Sequence, residues 1–235
     1  MKLNDPAEVA RQYAREGNLE ARRTIYGAQE GSDPREVAFD AVAEAAPQRV
    51  LEVGGGPGEL AARLQDELGC EVMMLDVSPR MVELAAQRGV DARVGDVQAL
   101  PFPDESFDVA VAAWMLYHVP DLDRALSELA RVLRPGGRLV AVTNGVQHLS
   151  ELRRIAGSAM WPQIFRSEEA ANRLASHFAS VDRRDAEGWV MVDDDDVVRA
   201  YVGSLQHEGE VELAPYELPL RIRRSSSIFV AEKAA

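Results

Sequence analysis

The sequence predicts an α/β protein in which a parallel sheet carries helices on both faces. Three observations predict it. Short, largely apolar runs alternate with helical stretches five times between residues 50 and 144. Each run is near-continuously apolar, as strands buried on both faces are. Helical stretches separate the runs, so successive strands are joined by crossovers.

The elements follow in order. Asp5, Pro6 and Glu8 give a first helix its cap, its first-turn proline and an early acid. Asp33, Pro34 and Glu36 repeat the signal for a second helix, which ends before Pro47. Residues 21–32 (ARRTIYGAQEGS) read as a loop or short helix. VLEV (50–53) is a buried strand stopped by GGGPG. Glu59 to Leu68 is a helix stopped by Gly69. EVMMLDV (71–77) is a second strand, and Ser78-Pro79 opens a helix reaching Gly89. VDARVGD (90–96) alternates as a third strand, and FDVAVAAWML (107–116) is a fourth. Asp121 caps a helix with its apolar stripe at Leu122, Ala125, Leu126, Leu129, Val132 and Leu133. RLVAVTN (138–144) is a fifth strand after PGG. Beyond it, residues 148–160, 167–178 and 193–205 read as helices, 179–192 as a strand or two, and SSSIFVAEK (225–233) as a last strand. The acid run Asp193–Asp196 reads as a helix start favoured by the dipole rather than as a metal site.

Composition narrows the function classes. The chain has 235 residues, 46% hydrophobic and 28% charged, as a soluble globular protein would. Cys70 is the lone cysteine, which excludes an internal disulfide and a cysteine zinc cluster. No apolar run approaches the ~20 residues of a membrane span. The start lacks the apolar core of a signal peptide, so a cytoplasmic location is expected. The formal charge is 26 − 39 = −13, which disfavours nucleic acid and anionic membranes as partners. Arg221, Arg223 and Arg224 are the best candidate basic patch, followed by Arg22 and Arg23.

LEVGGGPGELA (51–61) is the strongest local motif. A strand, a glycine loop and a helix set backbone donors and a positive helix end against a ligand. Dinucleotides and S-adenosylmethionine (SAM) both use such a corner. The dinucleotide spacing G-x-G-x-x-G/A fails from Gly54, where Glu59 stands third, and passes from Gly56, where Ala61 does. Glu52 favours SAM, because a carboxylate repels a pyrophosphate and attracts a sulfonium and an ammonium. Asp76, ending the second strand, suits ribose hydroxyls in either case. Asp96, ending the third, could accept from an adenine amine.

The segments LEVGGGPG, LDVSPRMVELA, GDVQALPFPDESFDVAVAAWMLYHVPD and ELARVLRPGGRLVAVT together resemble class I SAM-dependent methyltransferases of the small-molecule, type 11-like subgroup. The resemblance covers roughly residues 48–145. It implies a Rossmann-like, doubly wound, seven-stranded, mostly parallel sheet with an antiparallel last strand, plus a helical lid. It divides the chain into an N-terminal helical lid (1–46), a SAM-binding core (47–145), an acceptor-site or lid insertion with a later strand (146–215) and a closing strand (216–235). It implies that Gly54, Gly56 and Gly58 pack against SAM and that Glu52 supports its methionyl end. Asp76 would hold the ribose, Val77 and Met81 would flank the adenine, and Asp96 and Val97 would contact its edge and face. Ala113 and Trp114 would lie beside the transferred methyl, and Tyr13 would cover the methionine end.

Methyl transfer needs alignment and exclusion of water, with a general base optional. The candidate bases are His118 and His148, each following a strand at the carboxyl edge. His177 and His207 read as surface residues. Met160, Trp161, Phe165, Trp189, Met191 and Tyr201 could line an apolar acceptor site. The expected partner is a small-molecule acceptor, with the chain a monomer or homodimer. Other readings are an RNA methyltransferase, a non-catalytic SAM-binding module and an NAD-dependent oxidoreductase.

Overall fold

The computed structural model describes residues 24–157, 164–204 and 213–235. Tyr13, Arg22, Arg23, Met160, Trp161, His207 and the helix expected from Asp5 lie outside the described residues.

The strands are β1 (Ala28–Gly31), β2 (Arg49–Val53), β3 (Glu71–Asp76), β4 (Asp91–Val94), β5 (Phe107–Ala113), β6 (Leu133–Asn144), β7 (Ser180–Val192) and β8 (Leu220–Glu232). They form one sheet in the order β1-β7-β8-β6-β5-β2-β3-β4. The pairs from β4 through β6 are parallel, and β8 lies antiparallel between β6 and β7. The predicted doubly wound sheet with its antiparallel last strand is therefore present, with one strand more than expected. The extra strand is β1, which pairs antiparallel with β7 and comes from the stretch read as a loop or short helix. Its four residues carry no periodic apolar signal and gain strand geometry from the partner.

Helices α1 (Pro34–Ala43), α2 (Glu59–Leu68), α3 (Pro79–Gln87) and α4 (Leu122–Val132) cover the sheet. Their starts follow the capping chemistry read from the sequence. Asp33 accepts from the Arg35 amide, Ser78 from the Met81 amide and Asp121 from the Arg124 amide. Gly69 stops α2 in the left-handed conformation.

Two apolar layers flank the sheet. On one face Leu51, Leu75, Ala110, Ala112 and Ala141 pack with the α4 stripe of Leu122, Leu126 and Leu129. On the other, Val50, Met74, Val111, Val142 and Ile228 pack with Ala38 and Val42 of α1, Leu64 of α2 and Ala85 of α3. A third cluster caps the long ends of β7 and β8. There Val190, Val192 and Ile222 meet Ile25, Leu149, Leu152 and Ile155 of the α5 region (Ser150–Ile155), and Val198 of α7 (Asp195–Ser204). Phe165, expected in the acceptor site, is instead fully buried in the α4 layer beside Ala170 and Leu174 of α6 (Ala170–Ala175). An aromatic side chain in an irregular stretch carries no periodicity to say which layer takes it.

Candidate functional site

The carboxyl ends of β2, β3, β5 and β6 gather the residues singled out in the sequence. The glycine loop leaves β2 with Gly54 donating to the Leu75 carbonyl at 2.7 Å, which ties the turn to β3. Gly58 caps α2 at φ +78°, and a Cβ there would stand 2.7 Å from the Cβ of Ala85. Only glycine meets both demands, so Gly58 lets α2 close on α3. Gly56 has φ +58°, and a Cβ there would meet nothing within 4 Å. Its surface faces open space at the tip of the loop.

Asp76 binds that tip to β3. One carboxylate oxygen accepts from the Gly56 amide at 3.0 Å, the other from the Ser78 amide at 2.8 Å. Asp76 is 8% exposed, and its burial raises the carboxyl above its usual range, opposed by those two amides. Each carboxylate oxygen has a lone pair left for a hydroxyl.

Glu52 lies on the same face of the neighbouring strand. It is 3% exposed, and its Oε2 has no hydrogen-bond partner among the described residues. Burial raises its carboxyl to about 7; the Ala61 amide opposes this and the charge of Asp76 adds to it. A buried carboxyl oxygen with no protein partner beneath a glycine loop is suited to receive a cationic or hydrogen-bond-donating group of a ligand. The donor set thus fits a ligand that brings positive charge to Glu52 and hydroxyls to Asp76, as SAM does.

The remaining expected contacts surround this corner. Val77 is 55% exposed beside Asp76, an apolar side chain open at the end of β3. Met81 is buried in the first turn of α3. Asp96 caps a short 3-10 turn, bonded to the backbone and side-chain amides of Gln98, and stays exposed. Val97 is buried against the α4 layer.

At the end of β5, Ala113 is half-buried and Trp114 adopts φ +55°. The Trp114 amide donates to the Val142 carbonyl, and its indole Nε1 donates to Asn144 Oδ1 at 3.0 Å. Ser226 Oγ donates to the same oxygen at 2.8 Å. The sequence reading missed Asn144 and Ser226. The available signal was the change from valine to asparagine at the end of the VAVTN alternation.

The two histidines differ. His118 is half-exposed at the end of a 3-10 turn (Leu116–His118), edge-on to Tyr117 with ring centroids 4.5 Å apart. His148 is buried. Its Nδ1 accepts from the Ser225 amide at 3.2 Å, and its Nε2 lies 3.0 Å from the Tyr26 hydroxyl. Accepting at Nδ1 places the ring proton on Nε2. Burial, with the charges of Arg153 and Arg224, pushes its imidazole down to about 3, so the ring is neutral at pH 7.

Among the other candidates, Trp189 and Met191 lie on the opposite face from Val190, with Arg221 stacked 4.2 Å over Trp189. Tyr201 packs against the third cluster. His177 lies 3.5 Å from Asp123, at the α4 surface. Asp195 opens α7 and binds Arg199 and Tyr216. Among the described residues, no three His, Cys, Asp or Glu side chains are grouped to hold a metal ion.

Comparison with known proteins agrees with this geometry. Residues 51–141 match the family described as a methyltransferase domain. The demethylmenaquinone methyltransferase of Thermus thermophilus is 41% identical over 115 residues, which are 46% of this chain and 52% of that protein. The ubiquinone/menaquinone biosynthesis C-methyltransferase UbiE of Dinoroseobacter shibae is 40% identical over 117 residues, 46% of this chain and 47% of that protein. The chain thus spans about half the length of the curated relatives it matches. The YcgJ protein of Bacillus subtilis shares the fold with a TM-score of 0.60 at 20% identity, over 85% of this chain and 99% of that one. Over residues 51–141 the chain is thus similar to methyltransferase domains, and its fold is shared with solved methyltransferase-like structures.

Proposed function

We propose that the protein transfers a methyl group from SAM to a small-molecule acceptor. The observation that carries this reading is the pairing of the orphaned, buried Glu52 carboxylate with Asp76, which is anchored to the tip of the glycine loop. Glu52 would meet the cationic end of SAM, and Asp76 its ribose hydroxyls. Gly54, Gly56 and Gly58 form the turn beneath it. Val77 and Met81 would flank the adenine, Asp96 and Val97 would meet its edge and face, and Tyr13 would close over the methionine end. SAM supplies a methyl group made electrophilic by its sulfonium.

The chain's own part is alignment and exclusion of water, which can supply several kcal/mol, up to about 7–11 in ideal models. Ala113 and Trp114 stand at the end of β5, where the acceptor would be held. His118, half-exposed at the carboxyl edge, is the side chain we assign as a base. His148 is neutral and engaged at both ring nitrogens, which suits it to positioning Tyr26 and β8. The acidic net charge favours a metabolite over RNA as acceptor. Among the described residues no helix is long and apolar enough to cross a membrane, in keeping with a cytoplasmic enzyme.

The test is thermal melting with S-adenosylhomocysteine (SAH) at millimolar concentration. The wild type should melt higher, and Asp76→Ala should lose the shift. No shift in the wild type, or an equal shift with NAD, would overturn the reading.

A further inference from the structure

We propose that Asn144 selects the acceptor: its side-chain amide donates to an oxygen of the acceptor, which is therefore a carbonyl, enol or phenol compound rather than a simple amine. This inference rests on the methyl-transfer reading and names the class of molecule it acts on.

Position is the first argument. Asn144 is the last residue of β6, the strand paired with β5, whose end carries Ala113 and Trp114. It follows Val140 and Val142 on the face that also carries Glu52 and Met74. Orientation is the second. An indole N–H can only donate, so its bond to Asn144 fixes the carbonyl oxygen of the amide toward Trp114. Ser226 adds a second donor to that oxygen. The Nδ2 group, with two N–H donors, then points away from both. No described residue accepts from it, and although the residue is half-buried this group stays open to solvent, where a ligand can reach it. Two donors on Oδ1 also polarise the amide and strengthen the N–H groups.

The backbone supplies the third argument. Trp114 holds φ +55°, a conformation rare for a bulky side chain. Such residues persist where their surroundings hold them and gather at functional sites. Here the conformation delivers the indole N–H to the adjacent strand, and its product is the set direction of the Asn144 amide.

Chemistry then selects the acceptor. A pair of N–H donors suits an oxygen lone pair, above all on an enolate or phenolate, whose charge it stabilises. A protonated amine has no lone pair to offer. A neutral amine bound there would have its nucleophilic pair occupied.

The full chain is incubated with methyl-labelled SAM and the small-molecule fraction of source-cell extract, and labelled products are identified by mass spectrometry. The expected product carries its new methyl on oxygen, or on a carbon beside a C–O bond. Asn144→Asp keeps both bonds to Trp114 and Ser226 and replaces the donors with a carboxylate oxygen. It should lower kcat/KM for that acceptor by roughly 100-fold or more while keeping the SAH melting shift. Should that variant fail to melt cooperatively, Asn144→Ser replaces it with the same expectation. A methyl on a nitrogen with no neighbouring oxygen overturns the proposal. So does a variant within threefold of wild type, or the absence of any labelled product alongside an intact SAH shift. Loss of the SAH shift in the wild type overturns the cofactor reading instead.

Discussion

Replacing Glu52 by glutamine should stabilise the protein without ligand, and increasingly so as pH rises. In the folded state the Glu52 carboxyl is raised from 4.5 to about 7 by burial. The folded chain therefore holds this proton more tightly than the unfolded one. Below pH ~4.5 the side chain is neutral in both states and costs nothing extra. Between about 4.5 and 7 the unfolded state ionises first, and stability falls. Above 7 the full penalty is present, about 3 kcal/mol, because each tenfold gain in proton affinity is worth ~1.4 kcal/mol. Glutamine keeps the oxygen that accepts from Ala61 and cannot ionise. Urea denaturation of both proteins at pH 4 and pH 8 should show little difference at the first and about 3 kcal/mol in favour of Glu52→Gln at the second. In a chain of this size that is a melting shift of roughly 6–12 °C. The same variant should bind SAH more weakly, and wild-type affinity for SAH should rise from pH 6 to pH 8 as the carboxylate forms. A Glu52→Gln protein no more stable than wild type at pH 8, or a gain independent of pH, would refute the reasoning.

Two further expectations concern the frame of the site. His148 is lowered to about 3 in the fold, so stability should be intact above the unfolded value near 6.5 and fall as pH drops from there toward 3; acid denaturation of His148→Gln should show a smaller loss over that window. Gly58→Ala combines a left-handed residue with a 2.7 Å approach to Ala85 and should cost well over 1 kcal/mol, whereas Gly136→Ala at φ +71°, with open space around it, should cost about 1 kcal/mol; equal melting temperatures for the two variants would show that packing against α3 is not what requires Gly58.

What could be read from the chain was whatever local chemistry decides. The caps at Asp33, Ser78 and Asp121 stand where their side chains can reach the next turn. The apolar runs of β2, β3, β5 and β6 announced a doubly covered sheet, and Glu52 and Asp76 stood out as acids among apolar neighbours. What escaped depends on distant partners. β1 is a strand because β7 offers it an edge. Asn144 and Ser226 are 82 positions apart and meet only through antiparallel pairing of β6 with β8. His148 reads as a titratable histidine in sequence, and only its burial against Ser225 and Tyr26 makes it neutral.

The site occupies one face of the sheet for a reason visible in the strand alternation. On the face covered by α1, α2 and α3, each strand presents apolar residues until its carboxyl end. Val50 gives way to Glu52, Val72 and Met74 to Asp76, and Val140 and Val142 to Asn144. On β8, running the other way, Ser226 comes before Ile228 and Val230. Side chains two apart share a face, so these polar residues form one band across β3, β2, β6 and β8, with Ala113 ending β5 between Glu52 and Asn144. On the other face the polar positions are Thr143 of β6 and its partner Ser227 of β8, and the Ser227 hydroxyl is spent on Asp185. Leu51 and Val53, Ala110 and Ala112, and Leu139 and Ala141 stay in the core, and Thr143 is closed by its bond to the Phe165 carbonyl. A ligand spanning the band would meet carboxylates at the β2–β3 end and an amide donor at the β6 end, separated by the small side chain of Ala113. Were Glu52 to hold a cation and Asn144 an oxygen-bearing acceptor, as proposed, the two would lie on opposite sides of Ala113, the order an in-line displacement requires.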